Sequence, residues 1–208
     1  MTKSSLRTRK HQFVRDAIYD SAIELFAAKG FDETTVEEVA QAAGVSRASF
    51  FRYFSSKDDL LAQSVIRYGH ALKAAIKASP PSSTPLEIMR ATVLAVAKET
   101  ANSRHTRQVI DISLRSAGAA QAHMSRMVEV ERDIAAAFAE RVGSSSKDEI
   151  EPRLLATMTL SAMNVAVMSW HRGDSRELSA AVEQVFSSLT RIVRGQKSPK
   201  QRTGNGRR

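Results

Sequence analysis

Cysteine is absent from all 208 residues of the chain. Its absence excludes disulfides, thiolate metal sites and cysteine nucleophiles, and it suits a reducing cytoplasm. Long apolar runs are absent as well, since none approaches the roughly 20 residues of a membrane-spanning helix. The polar, basic N-terminus lacks the apolar region of a signal peptide. We therefore expect a soluble, cytoplasmic protein without a membrane partner.

Proline and glycine are scarce, with five and nine residues respectively. Apart from Gly69, expected to be a soft point in the fourth helix, they fall at the boundaries of apolar periodic segments or in the tails, and no segment alternates as a strand does. The pattern predicts an all-α fold of about nine helices. Two short helices lie between residues 34 and 54, and longer ones span about 12–29, 57–78, 85–102, 105–117, 119–142, 150–171 and 176–194. Gly118 is expected to close the sixth helix.

The formal net charge of +9 is concentrated at the two ends of the chain. Residues 1–15 contain five Lys or Arg and no acid, and residues 194–208 contain six and no acid. The C-terminal end is predicted to be a disordered tail that adds nonspecific attraction to nucleic acid. The N-terminal arm either reaches DNA phosphates or a minor groove, or is a solvated tail.

Residues 34–57 carry the signals of two short helices joined by a tight turn. A threonine pair caps the first helix with a glutamate three residues on, Gly44 ends it, and Ser46 caps the second. Phe50 and Phe54 face inward, which leaves a small, basic outward face of the kind that enters a major groove. We interpret this stretch as a helix-turn-helix. An ordinary helical hairpin in a bundle is the alternative.

The segment FAAKGFDETTVEEVAQAAGVSRASFFRYFSSKDDLL resembles the DNA-binding domain of the tetracycline-repressor (TetR) family, over roughly residues 12–65. The resemblance implies a dimeric all-α repressor whose C-terminal domain binds a ligand. One departure is Phe51, which stands where family members usually carry a tyrosine whose hydroxyl reaches a phosphate. The matching positions are Phe26, Gly30, Thr34, Thr35, Ala40, Ala43, Gly44, Val45, Ser46, Phe50, Tyr53, Phe54, Ser56, Lys57, Leu60 and Leu61.

Arg47 is the residue that we expect to read a base, with Ser49 beside it, because arginine pairs well with guanine O6 and N7. Thr35 and Tyr53 are expected to position phosphates. Lys57 is a third phosphate candidate, since a cation at a helix N-terminus is locally unfavourable and indicates an external anion. The full predicted DNA-binding set is Thr34, Thr35, Ser46, Arg47, Ala48, Ser49, Phe51, Arg52, Tyr53 and Lys57.

We divide the chain into a helix-turn-helix domain (1–56), a ligand-binding and dimerisation domain (57–194) and a basic tail (195–208). Apolar residues of the ninth helix step by four and three as in a coiled-coil seam, and the eighth helix is apolar nearly all round. Both can be covered within one chain, but the resemblance favours a two-fold four-helix bundle from two chains. The predicted dimer interface is Leu178, Val182, Val185, Phe186, Leu189 and Ile192.

A ligand pocket is expected between the fifth and eighth helices. Methionine suits an adaptable site, although at helical spacing it is more often plain core. The predicted lining is Met89, Val93, Val96, Ile110, Leu114, Met127, Phe138, Met158, Met163, Asn164 and Trp170. The five histidines show no metal-ligand spacing, and no set of nucleophile and base or paired carboxylates indicates catalysis. We expect no cofactor and no metal.

These observations predict a ligand-responsive DNA-binding transcriptional regulator in the bacterial cytoplasm, associated with the nucleoid. It would repress as a homodimer on a near-palindromic operator of double-stranded DNA and be released by a small apolar or amphipathic effector. Two other classes remain open. An enzyme would need catalytic groups that the sequence does not show. A regulator or architectural DNA-binding protein without a ligand would be supported by a fully packed C-terminal core.

Overall fold

The computed structural model describes residues 3–103, 105–143 and 149–196, except for the side chains of residues 3–7. Within these residues the chain forms nine α-helices and no strand, which confirms the all-α prediction. In chain order the helices are α1 (Lys3–Lys29), α2 (Val36–Ala42), α3 (Arg47–Phe50), α4 (Lys57–Ala78), α5 (Pro85–Asn102), α6 (Thr106–Arg115), α7 (Ala117–Val142), α8 (Ile150–His171) and α9 (Leu178–Val193).

The buried apolar side chains form two clusters. The N-terminal cluster joins α1, α2 and α3 to the first turn of α4, where Leu60 and Leu61 belong to it. The C-terminal cluster joins α4, α5, α7, α8 and α9. Because α4 contributes to both, one unbroken helix connects the two cores. The domain boundary at residue 57 stays a prediction, and the predicted tail lies outside the described residues from position 197 onward.

The first helix begins at Lys3, nine residues before the predicted start at Gln12. Residues 3–11 contain no glycine or proline. Their Lys, Arg and Leu residues are good helix formers, so nothing in this stretch opposes extension of the helix. The basic N-terminal segment is therefore an extension of α1 and not a separate arm.

Capping residues set several of the other helix ends. The Glu38 N–H donates to Thr35 Oγ1 (3.2 Å) and the Thr35 N–H donates to the Glu38 carboxylate (2.9 Å), so Thr35 supplies the capping box of α2. Thr84 and Glu87 form a second capping box ahead of α5. No cap of this kind begins α8, because the Glu149 side chain makes no capping hydrogen bond.

The predicted role of Gly118 is wrong, because this residue lies in the first turn of α7. Ser116 separates α6 from α7 and caps α7 through its hydroxyl. A Cβ at position 118 would lie 2.9 Å from Asp32 Oδ1 and 3.3 Å from Phe31 Cε1. A side chain at this position would force the Asp32 carboxylate to move and would crowd the Phe31 ring, so glycine lets the loop between α1 and α2 pack closely on the first turn of α7.

Gly69 also lies at a close approach, which corrects its predicted role as a soft point in α4. A Cβ at this buried position would lie 2.7 Å from Val130 Cγ2 and 3.1 Å from Val130 Cγ1. The missing side chain lets α4 and α7 pack together along their lengths. This contact fixes the far half of α4 on the C-terminal core.

The sixth helix contacts both halves of the molecule. His105, at its N-terminus, places Nε2 2.9 Å from Asp20 Oδ1 on α1. Further along, Asp111 Oδ1 lies 3.3 Å from His171 Nε2 at the end of α8. α6 therefore joins the N-terminal core to the C-terminal one by a second route besides α4.

Helix length and hydropathy also bear on membrane insertion. In residues 3–103, 105–143 and 149–196, no helix combines the length and hydropathy that a membrane span requires.

Candidate nucleic-acid interface

The turn between α2 and α3 has the backbone geometry of a helix-turn-helix. Gly44 adopts φ +67°, a left-handed conformation that glycine takes at low cost. The Val45 N–H donates to the Ala40 carbonyl (2.9 Å), which closes the end of α2. Ser46 then caps α3 by accepting a hydrogen bond from the Ser49 N–H at 3.1 Å. These contacts confirm the predicted turn and both of its capping positions.

Aromatic side chains hold α3 from behind. Phe50 and Phe54 are buried, with ring centroids 5.8 Å apart. Val39 and Ala40 of α2 are buried in the same cluster. Because one face of α3 is fixed in this way, its opposite face is presented to solvent.

Arg47 lies on that solvent face but has an acidic partner. Its Nε is 2.5 Å from Glu37 Oε1, and its guanidinium carbon lies 5.1 Å from the centroid of the Phe51 ring. Sequence reasoning missed Glu37. The available signal was the pair of glutamates at positions 37 and 38, of which the capping box uses only Glu38.

Phe51 gives α3 an apolar edge. The ring is 44% exposed and packs edge-on against Phe50, with centroids 5.4 Å apart. It has no hydroxyl to donate to a phosphate, but it supports the Arg47 guanidinium through a cation–π contact. The ring therefore positions a cation.

The remaining outward residues of this region are small or basic. The Ser46 hydroxyl donates to Ser49 Oγ at 3.1 Å, and Arg52 Nη2 donates to the same oxygen at 3.5 Å. Ala48 is exposed, so it offers no obstacle to close approach. Tyr53 is half-buried, with the Arg52 guanidinium carbon 6.0 Å from its ring centroid.

The two predicted threonines have structural roles. Thr34 is only 2% exposed and donates its hydroxyl to the Gly30 carbonyl at 2.7 Å, so its side chain cannot contact DNA. The predicted contact of Thr34 is therefore wrong. Thr35 is exposed, but its hydroxyl accepts from the Glu38 N–H and donates to the Glu38 carboxylate (3.0 Å). Hydrogen bonds from Lys29 and from Thr35 lower the pKa of Glu38 to about 2.

Lys57 has internal partners, which overturns the argument that it needs an external anion. Its ammonium donates to the carbonyls of Phe31 (2.8 Å), Asp32 (3.0 Å) and Thr34 (3.3 Å). It also lies 4.7 Å from the centroid of the Phe31 ring. Lys57 thus fixes the loop between α1 and α2, and its contact with a phosphate stays a prediction.

Most residues of the predicted ligand pocket belong to the C-terminal core. Leu114 is 63% exposed and Asn164 is also exposed, so these two are wrong as core-facing lining. The buried members are Met89, Val93, Val96, Phe138, Met163 and Trp170, and the partly buried ones are Ile110, Met127 and Met158. Above Trp170, the Arg107 guanidinium carbon lies 3.9 Å from the ring. The Thr92 hydroxyl, buried beside Val93, has no hydrogen-bond partner among the described residues.

The predicted dimer interface is only partly available to a second chain. Leu178, Val182 and Phe186 are buried in the C-terminal cluster, so this part of the predicted interface is wrong. Their stripe packs on the chain's own α5 and α8. Val185 and Leu189 are partly buried, and Ile192 is 73% exposed. On α8, one side presents to solvent the apolar residues Ile150, Leu154 and Val165 and the small Ser161.

Two family models match the chain. One, described as bacterial regulatory proteins, tetR family, matches residues 18–63. The other, described as the MftR C-terminal domain, matches residues 83–194, over half of the chain.

Three known proteins show how far the similarity reaches. HTH-type transcriptional regulator TcmR of Streptomyces glaucescens is 29% identical over 194 residues, which are 88% of this chain and 86% of TcmR. NalD, the secondary repressor of the MexAB-OprM multidrug efflux pump in Pseudomonas aeruginosa, has a similar fold (TM-score 0.65, 18% identity, 87% of this chain, 96% of that chain). The transcriptional regulator FadR of Bacillus subtilis, in complex with stearoyl-CoA, also has a similar fold, with a TM-score of 0.60 and 21% identity over 83% of this chain and 96% of the FadR chain.

Proposed function

The chain belongs to the TetR family of bacterial transcriptional regulators, and from this premise we propose that it represses transcription by binding a near-palindromic DNA operator as a homodimer. A small apolar or amphipathic effector releases it. In this proposal no residue is catalytic, and the protein acts in the cytoplasm, where the bacterial DNA lies.

The exposed face of α3 carries the proposal. Arg47 lies on it with its guanidinium oriented by Glu37 and Phe51. Ala48 and Ser49 keep the surface between the side chains shallow, so the helix can enter a major groove. Arg47 then reads a guanine edge, with Ser49 beside it.

The outward face of α8, together with Val185, Leu189 and Ile192 of α9, supports the dimer. Exposed residues of α8 that are apolar or small step by four, seven and four along one side of the helix, at Ile150, Leu154, Ser161 and Val165. Large apolar side chains that share one exposed face of a soluble protein mark an interaction site, and the small serine among them lets a partner helix approach. Packing the same face of two chains gives an isologous two-fold interface and places the two recognition helices in successive major grooves.

An adaptable core supports the effector. Met89, Met127, Met158 and Met163 lie in or against the C-terminal cluster, and methionine repacks readily around a ligand. FadR, which shares the fold, was crystallised with stearoyl-CoA. Because these residues pack on one another here, the effector selects a more open conformer of low population. A regulator without a ligand is the second candidate, and the same packed core favours it.

The fourth helix provides the connection between effector and operator. It begins at Lys57, beside the helix-turn-helix, and its far half is fixed to α7 at Gly69. A ligand that moves α7 therefore moves α4 and changes the separation of the recognition helices. Coupling of this kind amounts to about 1–3 kcal/mol.

The DNA half of the proposal is tested by selecting bound duplexes from a random pool and measuring affinity for the winner. We expect Arg47→Ala to weaken the free energy of operator binding by about 1–3 kcal/mol and to relax the sequence preference at one base pair per half-site. Lys98→Ala, an exposed charge on α5, is the matched control and should change little. The recognition role of Arg47 would be refuted if both affinity and preference survived its removal.

The effector half is tested by a thermal-shift screen, followed by measuring the affinity of any hit with and without the selected operator. Linkage requires the operator to weaken effector binding by the same factor as the effector weakens operator binding. Equal affinities would refute the coupling. A screen without hits, alongside intact DNA binding, would favour the regulator without a ligand.

A further inference from the structure

We propose that a hollow beside the helix-turn-helix, lined by Lys10, His11, Arg52 and Tyr53, binds one backbone phosphate of the operator. The inference rests on the proposed function, since it requires the protein to bind DNA. It adds to that function a site built partly from α1, which no similarity to known proteins assigned.

The hollow has a volume of about 300 Å³, enough for a phosphate group and its water. Its four lining side chains supply an ammonium, a guanidinium, an imidazole and a phenol. Each can donate a hydrogen bond, and none is an acid. Phosphate oxygens only accept hydrogen bonds, so the lining matches a phosphate in charge and in donor type.

The extension of α1 builds half of this site. Lys10 and His11 lie on the part of α1 that precedes its predicted start at Gln12. The His11 ring contacts the Tyr53 ring with centroids 4.5 Å apart and planes tilted by 43°. This contact fixes the α1 extension against the segment that follows α3. The site is therefore formed before DNA arrives.

The two cations of the hollow have no counter-charge. Among the described residues, no acid forms an ion pair with Lys10 or Arg52, whereas the neighbouring Arg47 is paired with Glu37. Two like charges that line one hollow repel each other, and a shared anion reverses the sign of that interaction. The charge of the lining therefore favours an anion as its ligand.

The position of the hollow points to DNA as the source of the anion. Arg52 and Tyr53 follow α3 directly, so a helix seated in the major groove brings them over the flanking strand. Inorganic phosphate shares the same chemistry and is the other source. The two are distinguished by repeating each titration in chloride and in phosphate buffer of equal ionic strength.

The experiment measures binding to the selected operator and to a random-sequence duplex across a salt series. Lys10→Gln and Arg52→Gln are tested alone and together, with Lys98→Gln as the control of equal charge. We expect Lys10→Gln to weaken both duplexes by the same factor. In the double variant, the slope of log affinity against log salt should fall by about 0.9 for the single phosphate contact in each protomer, or roughly 2 for a dimer.

Three outcomes would overturn the inference. The first is a Lys10→Gln slope equal to that of the Lys98→Gln control. The second is a fall of about 4 in the slope of log affinity against log salt for the double variant, which would mean that Lys10 and Arg52 contact two separate phosphates per protomer. The third is inorganic phosphate that binds the wild type but not Lys10→Gln and leaves the affinity for DNA unchanged, because DNA would then not occupy the hollow.

His11→Phe separates binding from support, because phenylalanine keeps the ring contact with Tyr53 but cannot donate. Weaker DNA binding by this variant supports the phosphate site, and wild-type binding removes His11 from it. A wild-type protein that selects no DNA sequence would instead refute the proposed function, so the two failures are distinguishable.

Discussion

Gly69→Ala tests the closest helix contact in the molecule. The added methyl group would lie 2.7 and 3.1 Å from the two γ carbons of Val130. Val130 is 6% exposed and β-branched, so its side chain has essentially one rotamer in a helix and cannot turn away. The two helices must therefore separate, or strain must be stored at the contact.

The magnitude follows from two opposing terms. Overpacking of this kind costs about 1–3 kcal/mol. Alanine gains about 1 kcal/mol over glycine in a helix interior. We expect the free energy of unfolding to fall by about 1 kcal/mol, and by about 2 at most. The sign of the change depends on the contact, because propensity alone would stabilise the variant.

The assay is a double-mutant cycle with Val130→Ala. Denaturant unfolding is followed by circular dichroism at one protomer concentration, because dimer stability depends on concentration. Val130→Ala alone should lower the free energy of unfolding by about 1.5–3 kcal/mol, because it removes buried apolar surface. The free energy of unfolding of the double variant should exceed the value expected from the sum of the two single losses by about 1 kcal/mol or more. Additive losses, or a Gly69→Ala protein more stable than the wild type, would refute the close approach.

Single contacts give three further predictions. Val165→Arg should give a folded monomer in sedimentation, with monomer stability changed by less than about 0.5 kcal/mol, because the site is exposed within one chain; an intact dimer would move the interface off α8. Glu37→Gln removes the ion pair with Arg47 and an acid near the phosphates of the bound DNA, so binding to random-sequence DNA should strengthen and sequence preference should weaken. An unchanged sequence preference would mean that Glu37 does not orient Arg47. Burial lowers the pKa of His123, so the neutral histidine contributes stability above its unfolded pKa of about 6.5, and that contribution is lost as the pH falls below this value. The free energy of unfolding, measured from neutral to acid pH, should therefore decrease less in His123→Leu than in the wild type. Parallel pH curves for the two proteins would contradict the assignment.

Local signals predicted the helix boundaries well where a cap lies in the sequence itself. The capping residues Thr84, Pro85 and Glu87 begin α5 at the predicted residue 85, and Gly143, in a left-handed conformation, ends α7 at the predicted residue 142. Capping is a contact between residues three or four apart, so it is readable without knowing the fold. The same holds for the turn at Gly44.

Predictions failed where a distant segment decides what a residue touches. Gly118 resembles a helix end in sequence, but its role comes from the loop at Phe31. Lys57 finds three carbonyls from a loop about 25 residues earlier in the chain. The apolar stripe of α9 at Val182 covers its own core instead of a partner, since periodicity identifies an apolar face but not what covers it. The pocket residues failed in the same way at Leu114.

The loop between α1 and α2 is enclosed from two directions, by the Lys57 ammonium on one side and the Gly118 backbone on the other. A change at Phe31 or Asp32 must therefore suit both the helix-turn-helix and the helix that follows α6 in the chain, α7. Among relatives that keep this contact, a side chain at position 118 requires a smaller or displaced residue at 31 or 32. These positions should covary as a group, and a chimera that exchanges only one half with a relative should lose stability unless the loop is exchanged as well.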